Sequence, residues 1–474
     1  MADQPLPSII QGGMGVGVSH WPLARAVAAT GQLGVVSGVA LDAVLARRLQ
    51  LGDPGGALRD ALSLLPAAEV ARRILERYFV AGGIAPRQPF RPTPRLGVAA
   101  HRASVELIAA GNFAEVHLAK AGHRGPVGVN YLEKIQMATP AALYGAMLAG
   151  VDYVLVGAGI PSEFPHLLDA LAQHAAVRLP VAVAGRAPGE PEYVHFDPAW
   201  LHEPDGALRR PKLLAIVSSA VLATRLARDP RTRPDGFVLE TPIAGGHSAP
   251  PRGRMQLSET VEPVYGPRDV IEVEKVAALG LPFWLAGGHA GPRALAAAKA
   301  AGATGIQVGS AFALCDESGI TPDLKRRLLD HVLDGTLRVR NDPRASPTSF
   351  PFKVAELTGT LADEPPYADR PRTCDLGYLR TLYETGQGRI GYRCPAEPVA
   401  EYVAKGGAAE DTSGRRCLCN GLLATIGLGQ RRRDGYREPP VVTLGQQLDF
   451  LPRLLPAGAS GYSAAQVVGY LLEG

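Results

Sequence analysis

The sequence predicts an α/β fold: a (β/α)8 TIM barrel with insertions and a C-terminal accessory region of helices and loops. Three observations lead there. Eight short segments alternate with Ala/Leu-rich helical stretches, and eight strand–helix units are the number that closes a parallel barrel. Each short segment is apolar almost throughout, as a strand covered on both faces must be. Several of them run directly into glycine-rich turns. At 474 residues, the chain is long enough for one such barrel with additions.

In chain order, the predicted strands are Ser8–Gln11, Gly34–Ser37, Val127–Asn130, Tyr153–Val156, Leu213–Val217, Phe237–Glu240, Phe283–Ala286 and Gly305–Val308. Helical stretches such as Leu23–Thr30, Ser104–Ala110, Ala141–Ala149, Ala220–Ala227 and Ala294–Ala301 lie between them. Two segments exceed a minimal barrel. One is mixed polar and aromatic, from Gln50 to about Pro94. The other runs from about Val181 to Pro211, and its apolar runs Val181–Ala184 and Tyr193–Phe196 predict a small β excursion. The expected organisation is therefore a barrel over 1–320, with insertions at about 50–94 and 181–211, and a cap over 321–474 packed on it. The same alternation would also build an open doubly wound sheet. Against that, no G-x-G-x-x-G follows the first strand with an acidic residue ~20 positions later. Gly13–Gly17 is glycine-rich, but His20, Trp21 and Pro22 start a helix instead.

Composition removes several classes. Lys and Arg number 49 against 45 Asp and Glu, a net charge of +4, too small and dispersed to predict a nucleic-acid partner. No apolar run approaches the ~18 residues of a membrane span, and no basic segment followed by an apolar core opens the chain. Five cysteines make no disulfide framework, so a reducing, cytoplasmic location is expected.

Four predicted strands end in glycine-dense turns: Gln11–Gly15, Ala244–His247, Ala286–His289 and Gln307–Ser310. Glycine there lets backbone approach a ligand and adopt positive φ without steric cost. In a barrel these ends share one face, so the four turns converge on one pocket. The turns after strands seven and eight, with the helix starting near Pro292, form the usual barrel phosphate site. Any one glycine alone only permits a tight turn. The joint pattern is the signal.

The segments Gln11–Ser19 (QGGMGVGVS), Leu33–Gly38 (LGVVSG), Ala244–His247 (AGGH), Leu285–Gly288 (LAGG) and Gly305–Ser310 (GIQVGS) resemble, in order and spacing, the motifs of the nitronate monooxygenase (2-nitropropane dioxygenase-like) flavoproteins. The likeness covers roughly Pro7 to Leu314. The tail and His247–Gly253 (HSAPPRG) are more similar to a larger branch, which includes FMN-dependent enoyl reductases of polyunsaturated-fatty-acid and trans-acyltransferase polyketide systems. The resemblance implies a TIM barrel holding FMN non-covalently, with oxygen as electron acceptor. It implies Gly13 and Met14 against the flavin ring, and Asn130 on the ring edge or ribityl chain. Gly246, Gly287, Gly288, Gly309 and Ser310 are implied around the phosphate and ribityl chain, with Gln307 on the strand leading there. His247 falls at the family's catalytic histidine. His289 departs from the pattern, where an apolar residue is commoner.

The function expected is oxidation of alkyl nitronates by O2. The alternative is an NAD(P)H-dependent reductase of enoyl thioesters on an acyl carrier protein, and the non-enzymatic reading is a phosphate-ligand-binding scaffold. A homo-oligomer is compatible with each. An imidazole beside the flavin can accept a proton or neutralise developing charge, the role given to His247. His289 is read as a turn histidine, and Glu240 either faces the pocket or pairs with an arginine. No nucleophile elbow or triad accompanies Ser37 or Ser218. Cys374, Cys394, Cys417 and Cys419 cluster in the tail, as four thiolates for zinc or iron–sulfur would. Irregular spacing and the C-x-C pair favour small buried hydrophobes instead, and no metal is assigned.

Overall fold

The computed structural model describes residues 5–473 apart from 100, 188, 204 and 457. Eight parallel strands form its centre: β1 (Ile9–Gln11), β2 (Gly34–Ser37), β3 (Val127–Leu132), β4 (Tyr153–Gly157), β5 (Lys212–Val217), β6 (Gly236–Glu240), β7 (Phe283–Ala286) and β8 (Gly305–Val308). Each pairs with its neighbour in sequence, and β8 returns to β1 through Ile9–Ile306 and Gln11–Val308. The remaining seam is closed by Gln11 N–H donating to the Leu33 carbonyl at 2.9 Å and Leu33 N–H to that of Ile9 at 3.1 Å. The sheet is a TIM barrel.

Side-chain alternation explains why such short strands suffice. Ile10, Val35, Leu155, Leu214, Val238 and Trp284 point inward and fill the barrel. Their neighbours Ile9, Phe237, Phe283 and Ile306 point outward into the helical layer. Trp284 Nε1 donates to the Pro7 carbonyl at 2.8 Å at the end where the strands begin. Both faces of each strand are thereby dry, which is what the uninterrupted apolar runs require.

The segment after β2 supplies helices Leu41–Gln50, Ala57–Ser63 and Ala68–Tyr78 before the long helix Arg102–Lys120. After β4, Val177–Val181 pairs antiparallel with Glu192–Phe196. This excursion begins at Val177, earlier than the sequence reading, because the buried Val177, Leu179 and Val181 alternate around exposed or half-buried neighbours. Val183–Ala184 instead runs parallel to Thr381–Glu384 of the tail.

The tail is tied to the helical layer of the barrel through Arg47, which meets Asp375 at 2.9 Å. Within the tail, Arg416 meets Asp342 at 2.7 Å, and Arg370 pairs with Glu438. Helix Ala464–Leu472 packs on helix Trp21–Ala29, with a Ser463/Gln466 capping box at its start. Among the described residues no helix is long and apolar enough to cross a membrane.

Candidate active site

The C-terminal ends of the strands open into a cavity of about 220 Å³. All ten predicted site residues line it: Gly13, Met14, Asn130, Gly246, His247, Gly287, Gly288, Gln307, Gly309 and Ser310. Glu240, left open by the sequence, lines it too, as does His289, which the sequence reading took for a turn histidine.

The β1 turn is held by Ser19. Its hydroxyl donates to the Gly12 carbonyl at 2.9 Å and accepts from Met14 N–H at 2.9 Å. Gly13 must be glycine, because a Cβ would stand 2.3 Å from that of Asn130. Asn130 lies inside β3, which continues two residues past the predicted end. The β7 turn has φ of +85° at Gly287 and +76° at Gly288. There a Cβ on Gly287 would meet Thr241 Oγ1 at 2.3 Å.

His247 sits in the loop after β6. Its Nε2 is 2.7 Å from Ser346 Oγ, and the ring packs edge-on to Phe352 with centroids 4.8 Å apart. Burial lowers its pKa to about 4, so the imidazole is neutral at ordinary pH. Glu240, at the end of β6, has its pKa raised by burial to about 7, opposed by the field of Lys353. Its charged neighbour is thus a lysine, not the arginine considered from sequence. Lys353 Nζ donates to Ser248 Oγ at 2.6 Å and to the Pro242 carbonyl. Burial pulls its pKa down to about 8 against the opposing fields of Glu240 and Glu262.

Two buried acceptors in the wall have no donor in the protein, Gln307 Oε1 and Ser37 Oγ. A buried amide oxygen left unpaired costs about 1–3 kcal/mol, so both atoms stand ready to bond a group that enters the cavity.

The sequence reading missed the part played by the tail. Phe352, Leu422, Thr443, Leu444, Gly445, Gln447 and Phe450 all line the same cavity. Gly246 N–H donates to Thr443 Oγ1 at 2.9 Å, and Gly445 N–H to Ser310 Oγ at 2.7 Å. Lys353 N–H reaches the Gly246 carbonyl at 2.9 Å, and His247 bridges Phe352. Glycine suits this close approach, since a Cβ on Gly445 would press Ser310 Oγ at 3.2 Å.

With that geometry in place, likeness to known proteins can be stated. The family model described as nitronate monooxygenase matches residues 207–345, from just before β5 to beyond β8. A (3aS,4S,5R,7aS)-5-hydroxy-7a-methyl-1-oxo-octahydro-1H-indene-4-carboxyl-CoA dehydrogenase of Mycobacterium tuberculosis is 32% identical over 103 residues, which is 22% of this chain. The match spans 26% of that protein's own length. Among solved structures, FabK from Thermotoga maritima overlaps 99% of this chain and 93% of its own at 16% identity and TM-score 0.44. Nitroalkane oxidase from Streptomyces ansochromogenes overlaps 98% and 94% at 17% identity and TM-score 0.45. The enoyl reductase domain of MlnA from Bacillus amyloliquefaciens overlaps 75% and 64% at 13% identity and TM-score 0.39. The barrel assignment rests on this chain's own strand pairing, not on these overlaps.

Proposed function

We propose, with residues 207–345 in the nitronate monooxygenase family as the premise, that this chain is an FMN-dependent oxidoreductase that oxidises alkyl nitronates with O2. One observation carries the reading: four glycine-rich strand ends, His247 and an unpartnered Gln307 amide oxygen surround one cavity.

The residues fit the cofactor. Gln307 Oε1 and Ser37 Oγ are acceptors in need of donors, which ring N–H and ribityl hydroxyl groups supply. Gly287, Gly288, Gly309 and Ser310 would hold the phosphate by backbone N–H groups, beside the N-terminus of helix Pro292–Ala300. Gly13, Met14 and Asn130 would flank the ring, and Gly246 the ribityl side. When bound, FMN supplies the capacity to take electrons from the substrate and hand them to oxygen.

The protein's own part is position and charge. His247, neutral and oriented by Ser346, can accept a proton or donate a hydrogen bond without carrying positive charge into the cavity. Glu240, with its pKa raised to about 7, can hold or release a proton at the end of β6. The tail residues Leu422, Leu444 and Phe450 exclude water from that wall.

The test is the visible spectrum of the purified protein, followed by anaerobic mixing with propionate 3-nitronate. Flavin absorption that bleaches with the nitronate supports the proposal. A protein that takes up no FMN overturns it. Bleaching by NADPH alone, with turnover of a crotonyl thioester, would place the chain with the carrier-protein-dependent reductases.

A further inference from the structure

His247 lines the cavity, yet its ring is also bonded to the tail. Its Nε2 stands 2.7 Å from Ser346 Oγ, and Ser346 Oγ stands 2.8 Å from Thr348 Oγ1. Among the described residues Nδ1 has no hydrogen-bond partner, which leaves it for a group in the cavity. Ser346 is wholly buried, Thr348 is half-buried, and the next residue, Ser349, is exposed. The three side chains therefore make a continuous line of hydrogen bonds from a buried imidazole to the edge of the solvent.

The middle link is constrained. Ser346 Oγ already accepts the Thr348 N–H at 3.2 Å. A hydroxyl has one proton and two lone pairs, so one lone pair and the proton remain for two neighbours. Ser346 must therefore accept from one of His247 and Thr348 and donate to the other. When Nε2 carries the imidazole proton, Ser346 accepts it and donates outward to Thr348 Oγ1. When Ser346 donates to Nε2 instead, the imidazole proton lies on Nδ1. The surrounding backbone holds this link in place. Asp342 Oδ1 accepts from Arg344 N–H at 2.8 Å and Ala345 N–H at 3.2 Å. The Arg415 guanidinium donates to the Ser346 carbonyl and, at 3.3 Å, to Ser349 Oγ.

We infer that Ser346 and Thr348 are a proton relay that joins His247, and through it the cavity, to solvent. The relay rests on the proposed exchange of a proton between His247 and a group in the cavity, and on no choice of substrate. One proton enters and one leaves. As Nδ1 takes a proton, the Nε2 proton passes to Ser346 Oγ, the Ser346 proton to Thr348 Oγ1 and the Thr348 proton to water. The imidazole is neutral before and after, with its proton on Nδ1 in place of Nε2. A proton given back from Nδ1 to the cavity runs the same chain in reverse. Burial opposes a charged ring at this position, and the chain lets His247 move a proton without becoming one.

The experiment compares the full wild-type chain with Thr348→Val, which keeps the side-chain shape but not the hydroxyl, and with Thr348→Ser, which keeps the hydroxyl. Deprived of its outward acceptor, Ser346 can donate only to Nε2. Nitrogen NMR of isotope-labelled histidine should therefore show His247 moving from the Nε2–H to the Nδ1–H tautomer in Thr348→Val and not in Thr348→Ser. In FMN-loaded protein, with whichever of a nitronate or NADPH bleaches the flavin, Thr348→Val should lower kcat about tenfold, less than the loss of an acid–base group itself. KM and FMN content should stay unchanged, Thr348→Ser should recover most of the rate, and Ser346→Ala, cut one link earlier, should be slowed similarly. The same tautomer in wild type and Thr348→Val, or full kcat in both Thr348→Val and Ser346→Ala, would overturn the relay. A chain that binds no flavin would overturn the flavin reading alone, because the tautomer measurement needs neither flavin nor substrate and still decides the relay.

Discussion

His247 and Glu240 leave the same strand end, yet burial acts on them in opposite directions. Burial makes a neutral imidazole of the histidine, with a pKa of about 4, and brings the carboxyl to about 7. Glu240 is therefore the group whose charge changes near neutral pH. Glu240→Gln should remove a limb near pH 7 from the profile of kcat/KM while FMN content stays unchanged. A profile identical to wild type would separate Glu240 from the chemistry. His247→Ala should lower kcat/KM by ~10²- to 10⁴-fold, the usual range for an acid–base group, with the flavin spectrum retained. Stability should respond to acid through the same histidine and through His20, whose pKa is also lowered by burial, with help from Arg48 and Lys325. Unfolded histidines titrate near 6.5, so below that pH the unfolded chain binds protons the folded chain does not. The contribution is thus fully present above pH ~6.5 and is lost as pH falls toward 4. Glu240, with its raised pKa, acts in the opposite direction between pH 7 and 4.5. The histidine contribution is therefore read as a difference: the urea midpoint of wild type should lose more than that of His20→Gln between pH 7 and 4.

The strand–turn units were the most legible part of the sequence, for a reason visible in the packing. Strands dry on both faces are apolar almost throughout, so Phe283–Ala286 and, despite Gln307, Gly305–Val308 were read with their observed bounds. Asn130 shows where this fails. A polar residue looked like a strand end, but β3 continues to Leu132 because Asn130 is matched to Ser37 on one side and Leu155 on the other. The turns were legible through glycine, and at Gly287 the need is stereochemical. Gly287→Ala would force a Cβ into left-handed backbone and against Thr241 Oγ1. It should destabilise the fold by ~1–3 kcal/mol in urea titrations and release FMN, whereas Gly280→Ala, also at positive φ but open around its Cβ, should retain FMN.

The tail was the least legible at the scale of the whole molecule. Its contacts to the barrel join residues more than a hundred positions apart, such as Gly246 with Thr443 and Ser310 with Gly445. Local periodicity carries no trace of such pairings. Nor could it reveal that Ser346, the partner of His247, lies 99 residues further along. Thr443→Val should therefore act on the β6 turn, not on the tail's own folding. It leaves Gly246 N–H without its acceptor, costs about 1 kcal/mol, and should raise the FMN dissociation constant severalfold by fluorescence titration.

The cavity takes one wall from Gly12 and another from Phe450. During synthesis the eight strands leave the ribosome long before the segment that encloses their mouth. A ligand of this site is therefore enclosed only once the segment carrying Phe450 has joined strands that were made hundreds of residues earlier.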